Sequence, residues 1–302
     1  MKLDDIKLLS EKFNYNIKFN YNISNLNWFN IGGNVEIFYK PESLKELINF
    51  LKIYNKRGKI FILGAGSNIL FTDKNFKGAV IKLGKKFANI SKIDENKIIA
   101  GSSALDKKVS TFAKNNSIGG LEFLSCIPGS IGGGIRMNSG CFNTEFKDVL
   151  VSVQYMDFLG NVRSIPANVI NFSYRSTNLD KDLIFLSATF KGMKKDKKLI
   201  EQETIELIER KNISQPSKIK TGGSTFKNPH DQTKKKVWQL IKEAVPLDTK
   251  FGDAKISEKH CNFFINTNKA KFSEMKNLIN LVKVEVKNKT GISIEPEIVI
   301  VE

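Results

Sequence analysis

The sequence predicts an α+β protein built from more than one compact unit, and three observations carry that expectation. A helix, a short strand and a glycine-rich turn follow one another within residues 43–68, alternating strands dominate residues 149–191, and a long amphipathic helix precedes a final strand. With 302 residues, 41% hydrophobic and 26% charged, the chain is long enough for two or three units with separate cores.

Taken in order, Ser43 to Arg57 reads as a helix, with Ser43 and Glu46 in capping-box register and Leu44, Leu47, Ile48 and Leu51 on one face. Gly58 ends it, and Lys59 to Leu63 reads as a short buried strand running into Gly64-Ala65-Gly66-Ser67-Asn68. Strands are expected at Ala79–Leu83 and Lys97–Ala100, and a helix at Leu105–Asn115. After a second glycine-rich run come strands at Val149–Met156, Asn161–Ile165 and Leu183–Lys191, the first two joined by a turn at Leu159-Gly160-Asn161. The charged stretch from Lys191 opens a helix to about Lys211. Beyond it lie a loop at Thr221–Pro229, a helix near Lys234–Glu243 and a strand near Asn262–Asn266. Met275, Leu278, Ile279, Val282 and Val286 then mark a helix stopped by Gly291, and Ile294–Val301 a final strand.

Composition narrows the function. The N-terminus lacks a leader pattern and no stretch has the apolar length of a membrane span, so a cytoplasmic protein with no membrane partner is expected. Cys126, Cys141 and Cys261 lack metal-binding or disulfide spacing and read as small buried apolar residues; His230 and His260 alone do not make a metal centre. The net charge of +17 rests almost wholly on scattered lysines, with arginine at Arg57, Arg136, Arg163, Arg175 and Arg210. Nucleic-acid readers cluster arginine for its two-pronged fork, so the charge reads as a solvated surface that favours small anions, with no nucleic acid as partner.

The two glycine-rich runs give the chemistry. Gly64 to Asn68 is one, and Ile127-Pro128-Gly129-Ser130-Ile131-Gly132-Gly133-Gly134 is the other. Without Cβ atoms, main-chain N–H groups can turn toward an anion at close range, and two such loops suggest a diphosphate held from two sides, hence a dinucleotide cofactor. The spacing of a P-loop is absent, as is the third glycine of the usual dinucleotide fingerprint. Three polar residues stand out elsewhere. Arg175 lies in an aromatic-flanked turn and can hold a carboxylate bidentately, Ser224 follows a Gly-Gly pair, and Glu297 lies in the terminal Glu295-Pro296-Glu297.

The ordered set NIGG from Asn30, LGAGSN from Leu63, GLEFLSCIPGSIGGGIRMNSG from Gly120, FSYRS from Phe172, GGSTFKNP from Gly222, KISEKHCNFFIN from Lys255 and IEPEI from Ile294 resembles the UDP-N-acetylenolpyruvoylglucosamine reductase (MurB) family. The resemblance runs from about Trp28 to the C-terminal end. It implies a flavin-binding domain of the vanillyl-alcohol-oxidase (PCMH) type at 28–195, with subdomains at about 28–83 and 84–195, after an extension of residues 1–27. A substrate-binding domain at 196–302 closes over the flavin. Non-covalent FAD is expected on Gly64–Asn68 and Ile127–Gly134, with NADPH as hydride donor and UDP-N-acetylenolpyruvoylglucosamine as substrate, in a monomer.

By the same resemblance a hydride passes from NADPH by way of FAD to the terminal carbon of the enolpyruvyl ether. Arg175 and Glu297 then stabilise the enolate-like state, Ser224 gives the proton, and Tyr174, Lys227 and Asn228 contact substrate. Arg175 and Ser224 stand 49 positions apart, which leaves little room for the extra lid of longer members and implies the shorter, lidless subclass. The stretch Glu243–Ala254 departs from the family pattern, which often has a glycine-containing stretch there. Two alternatives remain at this point: another FAD-dependent oxidase or dehydrogenase on the same scaffold, and a basic RNA-binding protein that holds no flavin.

Overall fold

The computed structural model describes residues 3–54, 57–216 and 219–302. It divides into two units, each assembled from separate stretches of chain. One comprises residues up to Asn20, Glu36–Ala65 and Lys77–Arg210; the other comprises Tyr21–Val35, Gly66–Phe76 and Lys211–Glu302. Neither unit is a consecutive stretch such as 28–195 or 196–302, because hydrophobic periodicity marks elements but not which distant elements share a core.

Among the described residues the first unit has two hydrophobic cores. One core packs helices α1 (Leu3–Phe13) and α2 (Leu44–Tyr54) on a four-stranded sheet. The strand order there is Ile17–Asn22, Asn34–Tyr39, Phe76–Ile81, Lys59–Ile62, the last two parallel. Within the expected extension of residues 1–27, Ile6 and Ile17 are buried in this core, and Ile17–Asn22 supplies a sheet edge.

Ser43 caps α2 as its spacing predicts. Its Oγ accepts the Glu46 N–H at 3.3 Å and donates to Glu46 Oε1 at 3.1 Å. The buried stripe is Leu47, Phe50, Leu51 and Tyr54, one step further along the helix than expected, and Leu44 lies exposed in the first turn. Of the last turn expected for this helix, which was to run to Arg57, Asn55 and Lys56 lie outside the described residues.

The second core lies under an antiparallel five-stranded sheet in the order Val162–Pro166, Leu150–Met156, Ile184–Lys191, Lys97–Gly101, Ile90–Lys92. Helices α3 (Asp106–Asn115), α4 (Ile131–Met137) and the single turn α5 (Phe146–Val149) contribute to it. Helix α6 (Lys197–Ser214) buries only Ile200 among its described side chains. Cys126 and Cys261 are buried, whereas Cys141, expected to be buried too, is half-exposed on the short strand Gly140–Cys141.

The other unit sets α7 (Val237–Ala244) and α8 (Phe272–Thr290) on an antiparallel sheet ordered Thr221–Ser224, Phe263–Asn266, Ala254–Ile256, Lys250–Phe251. The five periodic residues of α8 are all buried, and Gly291 at φ +72° ends it by donating its N–H to Lys287 O at 2.9 Å. The final strand is shorter than expected, Val299–Val301 beside Ile69–Phe71. Glu295–Glu297 lies outside it: Pro296 makes an isolated antiparallel bridge with Phe226, and residues 297–298 bend before the strand begins. No helix of the described residues is long and apolar enough to cross a membrane, and among those residues no cluster could hold a metal ion.

Candidate functional site

In the first unit the two glycine-rich segments meet. Strand Lys59–Ile62 delivers the chain to Leu63, whose N–H bonds Ile81 O at 2.8 Å, and Gly64 follows directly against Ser130. A methyl group on Gly64 would lie 2.7 Å from Ser130 Oγ. The second segment runs alongside Ser102–Asp106. Ile131 N–H bonds Ala104 O and Gly132 N–H bonds Ser102 O, both at 2.9 Å, while Asp106 N–H bonds Gly129 O at 3.2 Å. The Lys82 ammonium donates to Gly64 O, and burial first, then Lys40, lowers its pKa.

The segment is not a loop throughout, as the sequence reading supposed. Ile127 is half-buried and Pro128 exposed, but Gly132, Gly133 and Gly134 belong to α4. Glycine costs about 1 kcal/mol relative to alanine in a helix, and packing explains why Gly134 is nonetheless there. A methyl on Gly134 would lie 2.1 Å from the ring of Phe146, which is fully buried.

The first segment is divided between the units. Gly64 and Ala65 belong to the first, and Gly66, Ser67 and Asn68 to the second. Gly66, at φ +74°, accepts the Trp28 N–H at 3.0 Å, and a side chain there would strike Leu26 O. Asn68 does structural work: its Nδ2 donates to Glu297 O at 3.0 Å, and its own carbonyl accepts the Val299 N–H at 2.9 Å.

Arg175 sits at the tip of a tight hairpin, Phe172–Ser173 paired with Ser176–Thr177, with φ +57°. Left-handed backbone costs a non-glycine residue about 1–2 kcal/mol, so a side chain has been kept where glycine would be less strained. The guanidinium lies 3.7 Å from Glu145 Oε1, 3.3 Å from Gly140 O and 4.9 Å from the ring of Tyr174. Asn138, the left-handed C-cap of α4, donates through Nδ2 to Glu145 Oε2 at 2.9 Å and to Ser173 O at 3.2 Å. The glycine helix and the arginine hairpin are therefore braced together. Neither Asn138 nor Glu145 was singled out from sequence, although an asparagine just past a glycine-rich helix is a cap signal.

In the second unit the structure brings Ser224, Lys227 and the Glu295–Glu297 segment side by side. Ser224 pairs with Phe263 after an irregularity in the ladder at Gly222–Gly223, with Gly223 at φ +80°. Glu297 N–H bonds Thr225 O at 2.8 Å, and Lys227 N–H bonds Glu295 O at 2.9 Å. Buried Asn262 locks the turn, accepting the Phe226 N–H through Oδ1 at 3.0 Å and donating to Phe226 O at 2.9 Å. The two glutamates differ. Glu295 is 77% exposed at its side chain, 3.6 Å from Lys227 Nζ, whereas Glu297 is half-buried with its main chain held at both ends. Asn228 accepts the Val237 N–H through Oδ1 at 2.9 Å and so caps α7. Burial lowers the pKa of His260, whose Nδ1 accepts the Asn262 N–H at 3.2 Å.

A profile described as FAD binding domain matches residues 35–165, and one described as UDP-N-acetylenolpyruvoylglucosamine reductase, C-terminal domain, matches residues 215–301. The UDP-N-acetylenolpyruvoylglucosamine reductase of Pelagibacter ubique is 57% identical over all 302 residues and the whole of that protein. The chain belongs to the UDP-N-acetylenolpyruvoylglucosamine reductase family. The reductase of Rickettsia bellii (strain RML369-C) is 44% identical over 92% of this chain and 91% of its own length. In fold, the chain is similar to the crystal structure of the MurB enzyme from Thermus caldophilus, with a TM-score of 0.79, 24% identity, and 95% of this chain and 99% of that one covered.

The first unit fits the diphosphate of a flavin. Seven buried side-chain oxygens among the described residues have no hydrogen-bond partner, and four of them, on Ser102, Ser130 and both oxygens of Asp106, lie along the paired segments 102–106 and 129–132. Gly133, where an added methyl would meet nothing nearer than Ser130 Oγ at 3.7 Å, and the ammonium of Lys82 suit a bound anion.

Proposed function

We infer that the chain is an FAD-dependent oxidoreductase, a UDP-N-acetylmuramate dehydrogenase that reduces the enolpyruvyl ether of UDP-N-acetylenolpyruvoylglucosamine at the expense of NADPH, in the synthesis of peptidoglycan precursors. The observation that carries this reading is the 57% identity to a reductase over the full length of both chains. The oxidase reading leaves Ser224, Lys227 and Glu297 without a task, and the RNA-binding reading leaves the paired glycine segments without one.

Bound FAD supplies the relay that takes a hydride from NADPH and gives it to the terminal carbon of the substrate's double bond. Gly64 to Asn68 and Ile127 to Gly134 hold FAD without a covalent link, the carbonyl of Gly64 being fixed by Lys82. The flavin is served mainly by the first unit and the substrate by residues 211–302 of the second. Arg175, pre-set at its hairpin tip by Glu145, binds the substrate carboxylate and stabilises the charge that grows there as the double bond is reduced. Glu297 assists that stabilisation, and the exposure of Glu295 favours the second glutamate for the task. Ser224 Oγ donates its proton to the carbon bearing the carboxylate. That carbon is strongly basic as negative charge builds on it, so the proton transfer does not require a lowered serine pKa.

Tyr174 and Lys227 contact substrate. Asn228 supports that contact from its cap on α7. Between Arg175 and Ser224 the described residues form short strands and α6, with no additional folded insertion, which agrees with the lidless subclass. The protein acts as a monomer in the cytoplasm. Anaerobic spectroscopy tests the reading: NADPH should bleach the flavin band and the enolpyruvyl UDP sugar should restore it. Restoration by oxygen alone, with the sugar inert, would favour an oxidase. A single elution volume at 34.1 kDa would support the monomer.

A further inference from the structure

Asp106 is the most anomalous side chain in the first unit. It is wholly buried at the first position of α3, and neither carboxyl oxygen has a hydrogen-bond partner. An ionised carboxylate in that condition is costly enough that such groups neutralise instead, and burial alone pushes its pKa well above the ordinary carboxylate value.

Its place is specific. A methyl on Gly129 would lie 2.5 Å from Asp106 Oδ2, so the carboxyl fills the space behind Gly129 that a side chain there would take. The Asp106 N–H is bonded to Gly129 O at 3.2 Å, and Leu105 bridges Ser130. Asp106 thus holds the segment by its main chain and packs its carboxyl behind Gly129, next to the stretch assigned to the flavin diphosphate.

We propose that Asp106 is a positioning residue for FAD, a neutral carboxylic acid that sets the Gly129–Ser130 main chain in the shape that receives the diphosphate. The assignment rests on the flavin reading above. Neutrality matters because a negative carboxylate behind the segment would repel the diphosphate in front of it, in surroundings too dry to screen the charge. An asparagine of the same shape would have been the simpler neutral choice. The acid differs in being able to offer an O–H donor and a carbonyl acceptor without a second N–H to satisfy.

The test is FAD binding to flavin-stripped protein, followed by flavin fluorescence, with the phosphorus NMR resonances of the bound diphosphate as a second readout. Asp106→Asn, neutral and of equal size, should bind FAD within a few-fold of wild type with displaced phosphorus resonances. Asp106→Ala should weaken FAD roughly tenfold or more, because removing the carboxyl empties the space behind Gly129 and lets that main chain relax. Should that variant fail to fold, Gly129→Ala reports on the same contact from the other side, and it too should weaken FAD and move the resonances.

A severe loss of FAD in Asp106→Asn would overturn the neutral acid in favour of a charged one. Wild-type affinity and unmoved resonances in Asp106→Ala or Gly129→Ala would overturn the positioning role and leave the flavin reading intact. Wild-type protein that takes up no FAD would overturn the flavin reading itself, and this assignment with it.

Discussion

At the scale of single residues, Ser224, Arg175 and Glu297 stand out as candidates because their neighbours give them a setting. Ser224 follows two glycines, Arg175 lies between Tyr174 and Ser176, and Glu297 closes Glu295-Pro296-Glu297. The structure adds what fixes each one: an irregular ladder for Ser224, an ion pair with Glu145 for Arg175, and main-chain bonds at both sides of Glu297. If Ser224 supplies the proton, Ser224→Ala should let NADPH bleach the flavin but slow its recovery with substrate by about 10²–10⁴-fold in stopped-flow traces. Arg175→Lys keeps the charge and loses the planar fork, so kcat should fall by about 10²-fold or more while FAD content stays at wild type. Equal kcat in the lysine variant would remove the bidentate role.

At the scale of elements, α4 shows where propensity and packing disagree. Replacing Gly134 by alanine gains about 1 kcal/mol of helix propensity. The same methyl would drive into the buried ring of Phe146, and overpacking of this kind costs about 1–3 kcal/mol. Gly134→Ala should therefore be net destabilising in urea unfolding; a gain in stability would mean that the ring moves aside freely.

The turn leading into the strand paired with Ser224 has a titration of its own. Burial holds the His260 pKa below the ordinary 6.5, so in the unfolded chain His260 binds its proton first as pH falls. Stability should be flat above about pH 6.5 and decline from there toward the folded pKa, since the unfolded state then holds more protons. His260→Gln should flatten that acid limb of the melting temperature, while an unchanged limb would assign it to other groups.

At the scale of the whole molecule, the net charge of +17 is spread over a surface of scattered lysines. A field of that kind draws an anionic UDP sugar and is screened within about 8 Å at physiological salt. The KM for the sugar should rise with potassium chloride concentration while kcat holds, measured in initial rates at fixed pH. A KM indifferent to salt would confine the attraction to short-range contacts such as those proposed for Arg175 and Lys227.

What the sequence by itself determined is local. The Ser43 cap, the buried stripe of α8, the turn at Gly291 and the two glycine segments all depend on residues within a few positions of one another, where backbone geometry dictates the pattern. Only the tertiary structure decided that Gly64 lies against Ser130, that Asn68 holds Glu297 across 229 positions of chain, and that Glu145 faces Arg175. It also turned part of a supposed loop into α4 and drew residues 21–35 and 66–76 into one unit with the C-terminal third. Periodicity records how much of each element must be buried, but the partner that buries it is set by the global packing of surfaces far apart in the chain. That is why the candidate residues were legible one at a time, and their supports were not.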